Sequence, residues 1–406
     1  MALSGPIPGP RRGAVLIGFA EASAAPEAAW SLLDAGFEVV ACARRGRRGA
    51  LRHARAVTIA DVTAPEADAA ACAADVARIA SQIGAVAAMP LDDAAVWVWD
   101  RAFLGNPRMV AGATGASATL ALDKRWQAER ARAAGFQVPE WRAVARPADV
   151  AGWSRFPCVL KPALAVRLDG VRLGKGSLAV CEDAASLARA AAELTGAEPM
   201  MLQEFVPKGV GEGLFGFVAE GGLRAVSAHR RVRMINPRGS GSSACVSIAA
   251  DPVLRAAAER MLVGAGWRGL FMIEMLRAEG GAWFMELNGR AWGSMVLARR
   301  CGFEYPAWAV EQAIDRAFTP PEPAPAPGLL CRNLGLEAVH LLTVLRGPRD
   351  GRGREDWPSP WATLRDVLRV RGTDRWYNWR RGESRVFLAD AWRSLADRVF
   401  KTRSGA

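Results

Sequence analysis

Lysine is nearly missing from this 406-residue chain: five stand among its 53 basic residues, and the rest are arginine. Four of the five, Lys124, Lys161, Lys175 and Lys208, fall within one stretch of 85 residues. Where arginine is the default cation, a retained lysine marks a position that needs a compact ammonium, and a phosphate site is such a position. Histidine occurs three times, at His53, His229 and His340, which excludes a histidine-rich metal centre. The seven cysteines include no Cys-x-x-Cys pair, so neither a disulfide framework nor a structural zinc site is expected. No apolar run reaches the ~18 residues of a membrane span; the longest, Leu334 to Leu345, is broken by Glu337 and His340. The early apolar run Ala14-Val15-Leu16-Ile17 is too short for a signal-peptide core and reads as a first strand, so the expected compartment is the cytoplasm. Gly18 is followed by no second or third glycine, and the dinucleotide fingerprint is therefore absent.

What is present is half hydrophobic and about a quarter charged, the balance of a soluble globular protein of two or three domains. The formal charge is +12, but from Arg346 onward there are 15 basic and 8 acidic residues, so more than half of the excess sits in the tail. No nucleic-acid motif accompanies it, and nucleic acid is not an expected partner. A solvated face or a contact with a membrane surface or protein partner fits this charge better.

Along the chain, strands are expected at Ala14 to Gly18, Phe37 to Cys42 and Val86 to Pro90, with helices at Pro26 to Ala35 and Pro65 to Ile83. A helix begins near Leu122, with Asp123-Lys124 in its first turn and Gly135 past its end. Pro157 to Pro162 reads as a buried strand and Met200 to Val206 as another, with a loop holding Gly170, Gly174, Lys175 and Gly176 between them. Gly213 to Ala219 and Leu223 to His229 read as paired strands, and Pro252 to Gly264 as a helix. Leu270 to Leu276 and Trp283 to Leu287 form an expected hairpin across Gly280-Gly281. Thr319 to Gly328 is a stiff proline-rich linker to a tail rich in tryptophan and arginine.

The hairpin carries the chemistry. A turn near Gly280 sets Glu274 opposite Glu286, while Glu286 and Asn288 share a face because strand side chains repeat every two residues. Two carboxylates and an amide oxygen then converge on one point, a hard-oxygen set suited to magnesium, or manganese, beside a phosphate-bearing substrate. The apolar contexts Ile-Glu-Met and Met-Glu-Leu argue against two solvated surface acids. Lys161 ends an apolar strand and needs a counter-charge, which a nucleotide phosphate supplies; Lys124 stands close enough in sequence to assist. The Leu173-Gly-Lys-Gly-Ser177 loop reads either as a backbone cradle for phosphate, with Lys175 in it, or as a plain hairpin turn.

Asp123-Lys124, Phe156-Pro-Cys-Val-Leu-Lys161-Pro162, Gln203-Glu204-Phe205-Val206 and Glu274…Glu286-Leu-Asn288-Gly-Arg290 follow one another in an order that resembles the ATP-grasp superfamily. Met285-Glu-Leu-Asn-Gly-Arg-Ala-Trp-Gly-Ser294, followed by Gly302-Phe-Glu-Tyr-Pro306, is similar to its carboxylate-amine ligase branch. The resemblance implies a mixed α/β and α+β architecture. It would comprise a flexible N-terminus (1–13), a Rossmann-like pre-ATP-grasp domain (14–118), a two-lobed grasp domain (119–202 and 203–318), the linker (319–328) and a C-terminal helical extension (329–406). It implies Lys124 and Lys161 on the nucleotide's phosphates, Gln203 or Glu204 beside the base, the main chain of Glu204, Phe205 and Val206 at the adenine edge, and Glu212 on the ribose. It implies Glu274, Glu286 and Asn288 on magnesium, and Arg290 on the phosphoryl oxygens or on the oxyanion of the collapsing intermediate. The activity implied is an ADP-forming ligase that converts a small carboxylate to an acyl phosphate and joins it to an amine. A phosphotransferase on the same scaffold and a non-catalytic nucleotide-binding scaffold protein are the alternatives.

The acceptor wall is then expected in His229-Arg-Arg-Val-Arg233 and the Gly/Ser stretch after it, with His229, Arg231 and Arg233 on one strand face and Arg238 and Ser242 beyond. A solvated basic edge with a flexible loop is the competing reading. The tail's Trp357, Trp361, Trp376, Trp379 and Trp392 suit either a helical cap over the grasp domain, the favoured reading, or a membrane interface. A homodimer is the commonest symmetric assembly for such a chain.

Overall fold

The computed structural model describes residues 12–196, 198–206, 209–237, 239, 241–348 and 357–399. Its first sheet is parallel, in the order β3-β2-β1-β4, from β1 (Ala14–Gly18), β2 (Glu38–Arg44), β3 (Val57–Val62) and β4 (Ala87–Pro90). Helices α1 (Ala25–Asp34), α2 (Ala69–Gln82) and α3 (Asp93–Ala102) connect and cover it. Asp68 and Asp92 cap the last two, each accepting from the backbone N–H three residues on, at 2.9 and 2.7 Å. Strand β3 is not among the strands expected from the hydrophobic pattern. It is a half-exposed edge strand whose alternating Val-Thr-Ile-Ala-Asp-Val pattern lacks the continuous apolar run of its neighbours.

After α4 (Ala116–Leu122), Asp123 caps α5 (Lys124–Ala133) by accepting from Arg125 N–H at 2.9 Å, and Gly135 takes φ +93° beyond the helix's end. A small antiparallel sheet follows, in the order β5-β10-β6-β9, from β5 (Trp141–Val144), β6 (Cys158–Pro162), β9 (Ala179–Cys181) and β10 (Met200–Glu204). Between β6 and β9 the hairpin β7 (Arg167–Asp169) and β8 (Arg172–Gly174) turns at Gly170, φ +56°, and α6 (Ala184–Ala192) packs on the sheet's outer side. The third sheet has seven strands in the order β15-β14-β11-β12-β13-β16-β17. They are β11 (Val210–Ala219), β12 (Gly222–Met234), β13 (Ser242–Ile248), β14 (Gly269–Ala278), β15 (Gly281–Asn288), β16 (Leu330–Arg332) and β17 (Arg375–Trp376). Helices α7 (Pro252–Val263), α8 (Met295–Arg300), α9 (Tyr305–Ile314), α10 (Leu334–Arg346), α11 (Pro360–Leu368) and α12 (Ser384–Val399) complete the chain.

The faces of the large sheet follow strand alternation. Leu214, Ile273 and Leu287 pack with α5, α7 and Met201 of the small sheet. The opposite face, with Phe215, Phe217 and Met272, shares one core with Val15, Ile17 and α1 of the first sheet. The first sheet and the large sheet are thus welded by a common core, while the small sheet has a modest core of its own around Leu160, Leu187 and Leu202. Among the described residues no helix is long and apolar enough to cross a membrane.

Candidate active site

The β14–β15 hairpin pairs Glu274 with Glu286 and Met272 with Asn288, so all three oxygen-bearing side chains lie on one face of neighbouring strands. The turn between them is made by Gly280 and Gly281, both at positive φ. Burial, and then the facing Glu274, push the Glu286 carboxyl above its ordinary range, while Lys124 and Arg290 pull it back. Asn288 is 2% exposed, and its Nδ2 has no hydrogen-bond partner. Two facing carboxylates beside an amide whose nitrogen is unanchored fit a hard divalent cation, which favours carboxylate and amide oxygens. Among the described residues no group of three His, Cys, Asp or Glu side chains forms a metal cage. The set here is two carboxylates and an amide, the number expected when substrate phosphates complete the shell.

The cations come from other elements. Lys161 projects from β6 on the face opposite the small sheet's core, and its Nζ donates to Gln203 Oε1 at 2.6 Å. Lys124 opens α5, and its backbone N–H donates to Ala163 O at 2.8 Å, which ties α5 to the end of β6. Burial and the neighbouring Lys124 bring Lys161 down to about 8, against the attraction of Glu286. Two ammoniums held close together with so little counter-charge suit an oligophosphate.

Arg290 follows β15, and its Nε donates to Asp93 Oδ1 at 3.0 Å. Lys175 reaches the other oxygen of the same carboxylate at 3.1 Å. Asp93 is not among the site residues expected from the sequence, although it stands at the carboxyl end of a parallel strand, where open α/β sheets present ligand-facing groups. Its burial works against ionisation, but Arg290 and then Lys175 hold it down to about 2. One acid of the first sheet thus gathers a cation from the small-sheet region and another from the large sheet.

At the hinge after β10, Gln203 is buried against Lys161, the Glu204 N–H donates to Glu140 O at 2.8 Å, and the Phe205 N–H donates to Pro157 O at 3.1 Å. Two of the three amides from Glu204 to Val206 are therefore engaged within the protein. Glu212, expected on the ribose, lies on β11. Its buried carboxylate is held by Arg230 at 2.9 Å and Arg277 at 2.7 Å, and its partners Arg230 and Met275 put it on the sheet face opposite Glu274.

Of the expected acceptor wall, His229 and Arg231 lie on the Glu274 face, and Arg231 pairs with Glu274 at 2.5 Å. His229 is 2% exposed with neither ring nitrogen hydrogen-bonded; burial, reinforced by Arg231, holds it neutral, at about 3. Arg233 is corrected. Arg231 pairs with Cys245 but Arg233 with Ala244, so a bulge at Val232 turns Arg233 to the other face, where it binds the buried Glu337 at 2.6 Å. Ser242 belongs to β13 rather than to a loop, and Arg238 lies outside the described residues.

A cavity of about 380 Å³ opens beside Glu274 and Arg290. His229, Arg231, Ser242 and Trp292 form one wall, Glu21 and Ser23 of the β1–α1 loop another, and Tyr377 with Asp390, Arg393, Asp397 and Arg398 a third. The last group belongs to the C-terminal extension, about a hundred residues from Arg290, and no spacing signal in the sequence joins them. Helix α12 packs on α10 and on the turn at Ala50–His53, and Trp357 donates to Val344 O at 3.0 Å, while Trp361, Trp379 and Trp392 face outward.

No protein-family model matches the sequence, and no curated protein aligns with it significantly. Solved structures do match. An N5-carboxyaminoimidazole ribonucleotide synthetase in complex with ADP is 14% identical, with a TM-score of 0.60, over 94% of this chain and 97% of the other. The L-amino acid ligase from Bacillus licheniformis is 15% identical, with a TM-score of 0.58, over 76% and 75%. A biotin carboxylase complex with an ATP analogue from Campylobacter jejuni is 16% identical, with a TM-score of 0.57, over 76% and 72%. At such identities the likeness is one of fold alone.

Proposed function

We propose that this chain is an ATP-dependent, ADP-forming ligase that activates a small carboxylate as an acyl phosphate and joins it to an amine. The observation that carries the reading is the alignment of Glu274, Glu286 and Asn288 on one face, with Lys161 and Lys124 brought near them from separate elements. On this reading residues 14–118 form a Rossmann-like pre-ATP-grasp domain, 119–318 the two-lobed grasp, and 329–406 an extension that walls the acceptor cavity in a cytoplasmic enzyme.

Glu274, Glu286 and Asn288 would hold magnesium, which when bound supplies charge neutralisation for the transferred phosphoryl group. Lys161 and Lys124 bind and orient the phosphates, and Gln203 fixes the Lys161 ammonium so that it does not stray from them. The Arg290 guanidinium and the Arg231 side chain bracket the mouth of the cavity, where the substrate carboxylate and the oxyanion of its acyl derivative carry negative charge. His229, neutral across the physiological range, is placed to position a substrate rather than to supply charge.

The test is ADP release with magnesium-ATP across pooled carboxylates and amines, comparing the wild type with Glu286→Gln. Release that needs both pools and falls at least a hundredfold in the variant supports the ligase. Release with a single hydroxylated or carboxylate substrate and no amine favours a phosphotransferase, and nucleotide binding without turnover above the variant overturns catalysis on this scaffold.

A further inference from the structure

The cavity beside Arg290 is lined by four carboxylates, Glu21, Glu274, Asp390 and Asp397, and four guanidiniums, of Arg231, Arg290, Arg393 and Arg398. These charges are not evenly placed. Glu274, Arg231 and Arg290 sit at the reaction centre, where the proposed chemistry commits the acid to the cation and the two arginines to phosphoryl and carboxylate oxygens. What remains is a region built by the β1–α1 loop and α12, with Glu21, Asp390 and Asp397 beside Arg393 and Arg398 and with Arg44 behind Glu21.

Within that region Arg393 is already engaged, donating to the Glu21 carbonyl at 2.8 Å and lying 3.6 Å from Asp397. Glu21 Oε1 accepts from the Arg44 backbone at 3.1 Å, and its other oxygen lies 3.4 Å from the Arg44 guanidinium. Asp390 has a neutral partner, the Asn333 amide at 3.0 Å. Asn378 donates to Ser23 O at 3.4 Å and also bonds Asp390, so this acid is fixed against the β1–α1 loop rather than trailing in solvent. Burial raises the carboxyls of both Glu21 and Asp390, against the pull of Arg44 on the first and of the Asn378 and Asn333 amides and Arg393 on the second.

A second observation points to a ligand in the same cavity. His229 lines it, is 2% exposed, and has both ring nitrogens without a hydrogen bond. A neutral imidazole offers one donor and one acceptor, so a ligand that satisfies it must bring both an acceptor and a donor. Gly213 leaves it room, since a Cβ there would lie 2.8 Å from His229 Nε2. A volume of about 380 Å³ is close to the lower end of small-molecule sites, which span about 300–1,000 Å³.

We propose that the region bounded by Glu21 and Asp390 is an ammonium subsite, and that the carboxylate substrate is an amino acid held with its carboxylate towards Arg231 and Arg290 and its ammonium towards Asp390. The proposal rests on the ligase reading for the direction of the carboxylate. It makes Asp390, on the C-terminal helix, a specificity-determining residue.

The experiment offers the common L-amino acids and their des-amino counterparts, such as leucine against 4-methylpentanoate, to the full chain with magnesium and a non-hydrolysable ATP analogue. Binding is read as a shift of the unfolding midpoint, and ADP release is measured in parallel with ATP and an amine pool. At least one amino acid is expected to shift the midpoint while its des-amino partner does not. Asp390→Asn, which keeps an acceptor for Asn333, is expected to raise the half-saturating concentration of that amino acid at least tenfold; Glu21→Gln is a second variant should the first unfold. A des-amino acid that binds as tightly as its amino acid in the wild type, no response to either set, or folded variants that bind unchanged would each overturn the subsite. Binding of an amino acid without ADP release would keep the subsite and remove the ligase, whereas ADP release with des-amino acids would do the reverse.

Discussion

Asp93 shows how much of this site is decided by single side chains. It is the shared counter-ion of Arg290 and Lys175, and its carboxyl falls from 3.8 to about 2. A depressed carboxyl contributes stability that is full above its unfolded value and is lost as pH falls through the folded one, so the window here runs from about pH 4 down to 2. The contribution at neutral pH is about 2 kcal/mol, since each tenfold change in proton affinity on folding is worth about 1.36 kcal/mol. Asp93→Asn is therefore expected to lower the urea midpoint at pH 7 by a corresponding amount, with the gap to wild type closing progressively from about pH 4 to pH 2; an unchanged midpoint at pH 7 would show that the two cations stand equally well without it. The sequence made Glu274, Glu286 and Asn288 legible because strand alternation and a Gly-Gly turn suffice to align them. It hid Asp93 because pairing with Arg290 spans 197 residues and two sheets. The face that Glu212 takes was hidden for a related reason: position along the chain after the hinge says nothing about which sheet face a residue takes, and arginines on neighbouring strands hold it.

Elements were legible where apolar runs are continuous, as in β1, β6 and β14, or where an acid and a glycine bracket a helix, as Asp123 and Gly135 do for α5. Strand β13 was not, because Ser-Ser-Ala-Cys-Val-Ser-Ile is extended by its neighbours β12 and β16 rather than by its own hydrophobicity. The bulge in β12 matters most, since one unpaired residue separates Arg231, which faces the active site, from Arg233, which does not. Arg233 and Arg332 instead clamp Glu337 at 2.6 and 2.9 Å, fastening α10 to the large sheet, with Glu337 and Arg332 each 1% exposed. Removing the acid leaves two guanidiniums facing each other out of water, with Asp374 beside only one of them. Glu337→Ala is expected to cost about 3 kcal/mol in denaturant unfolding, in the range of broken buried pairs. Arg230→Ala serves as the contrast, because its guanidinium is half exposed and Glu212 retains Arg277. Equal losses in the two variants would mean that the Glu337 clamp is no more than a surface pair.

At the scale of the whole molecule, the cores set which parts can move. Val15, Ile17 and α1 share one continuous cluster with Phe215, Phe217 and Met272, so separating the first sheet from the large one would expose much of the protein's interior. The small sheet has seven buried residues in its own cluster; it meets the large sheet's core through Met201, Ala163 and Trp141, and the segment between β6 and β9 meets the first sheet's core through Val166 and Leu173. Lys161 belongs to this small sheet and Lys175 to the loop beside it, whereas Glu274, Glu286 and Arg290 belong to the welded body. A phosphate bound between these groups would tie the lightly held unit to the rigid one, as the Lys175–Asp93 pair at 3.1 Å does beside the site. Regions with few buried contacts open at lower free energy than the global fold. Hydrogen exchange is therefore expected to be faster at the amides of β5, β6, β9 and α6 than at those of β11, β12 and β14, and a magnesium complex of a non-hydrolysable ATP analogue should slow the first set selectively. Uniform protection of both sets on adding the nucleotide would indicate one rigid body and place the nucleotide's effect elsewhere; protection confined to the small sheet would show that the charges of the site, more than its cores, close the cleft.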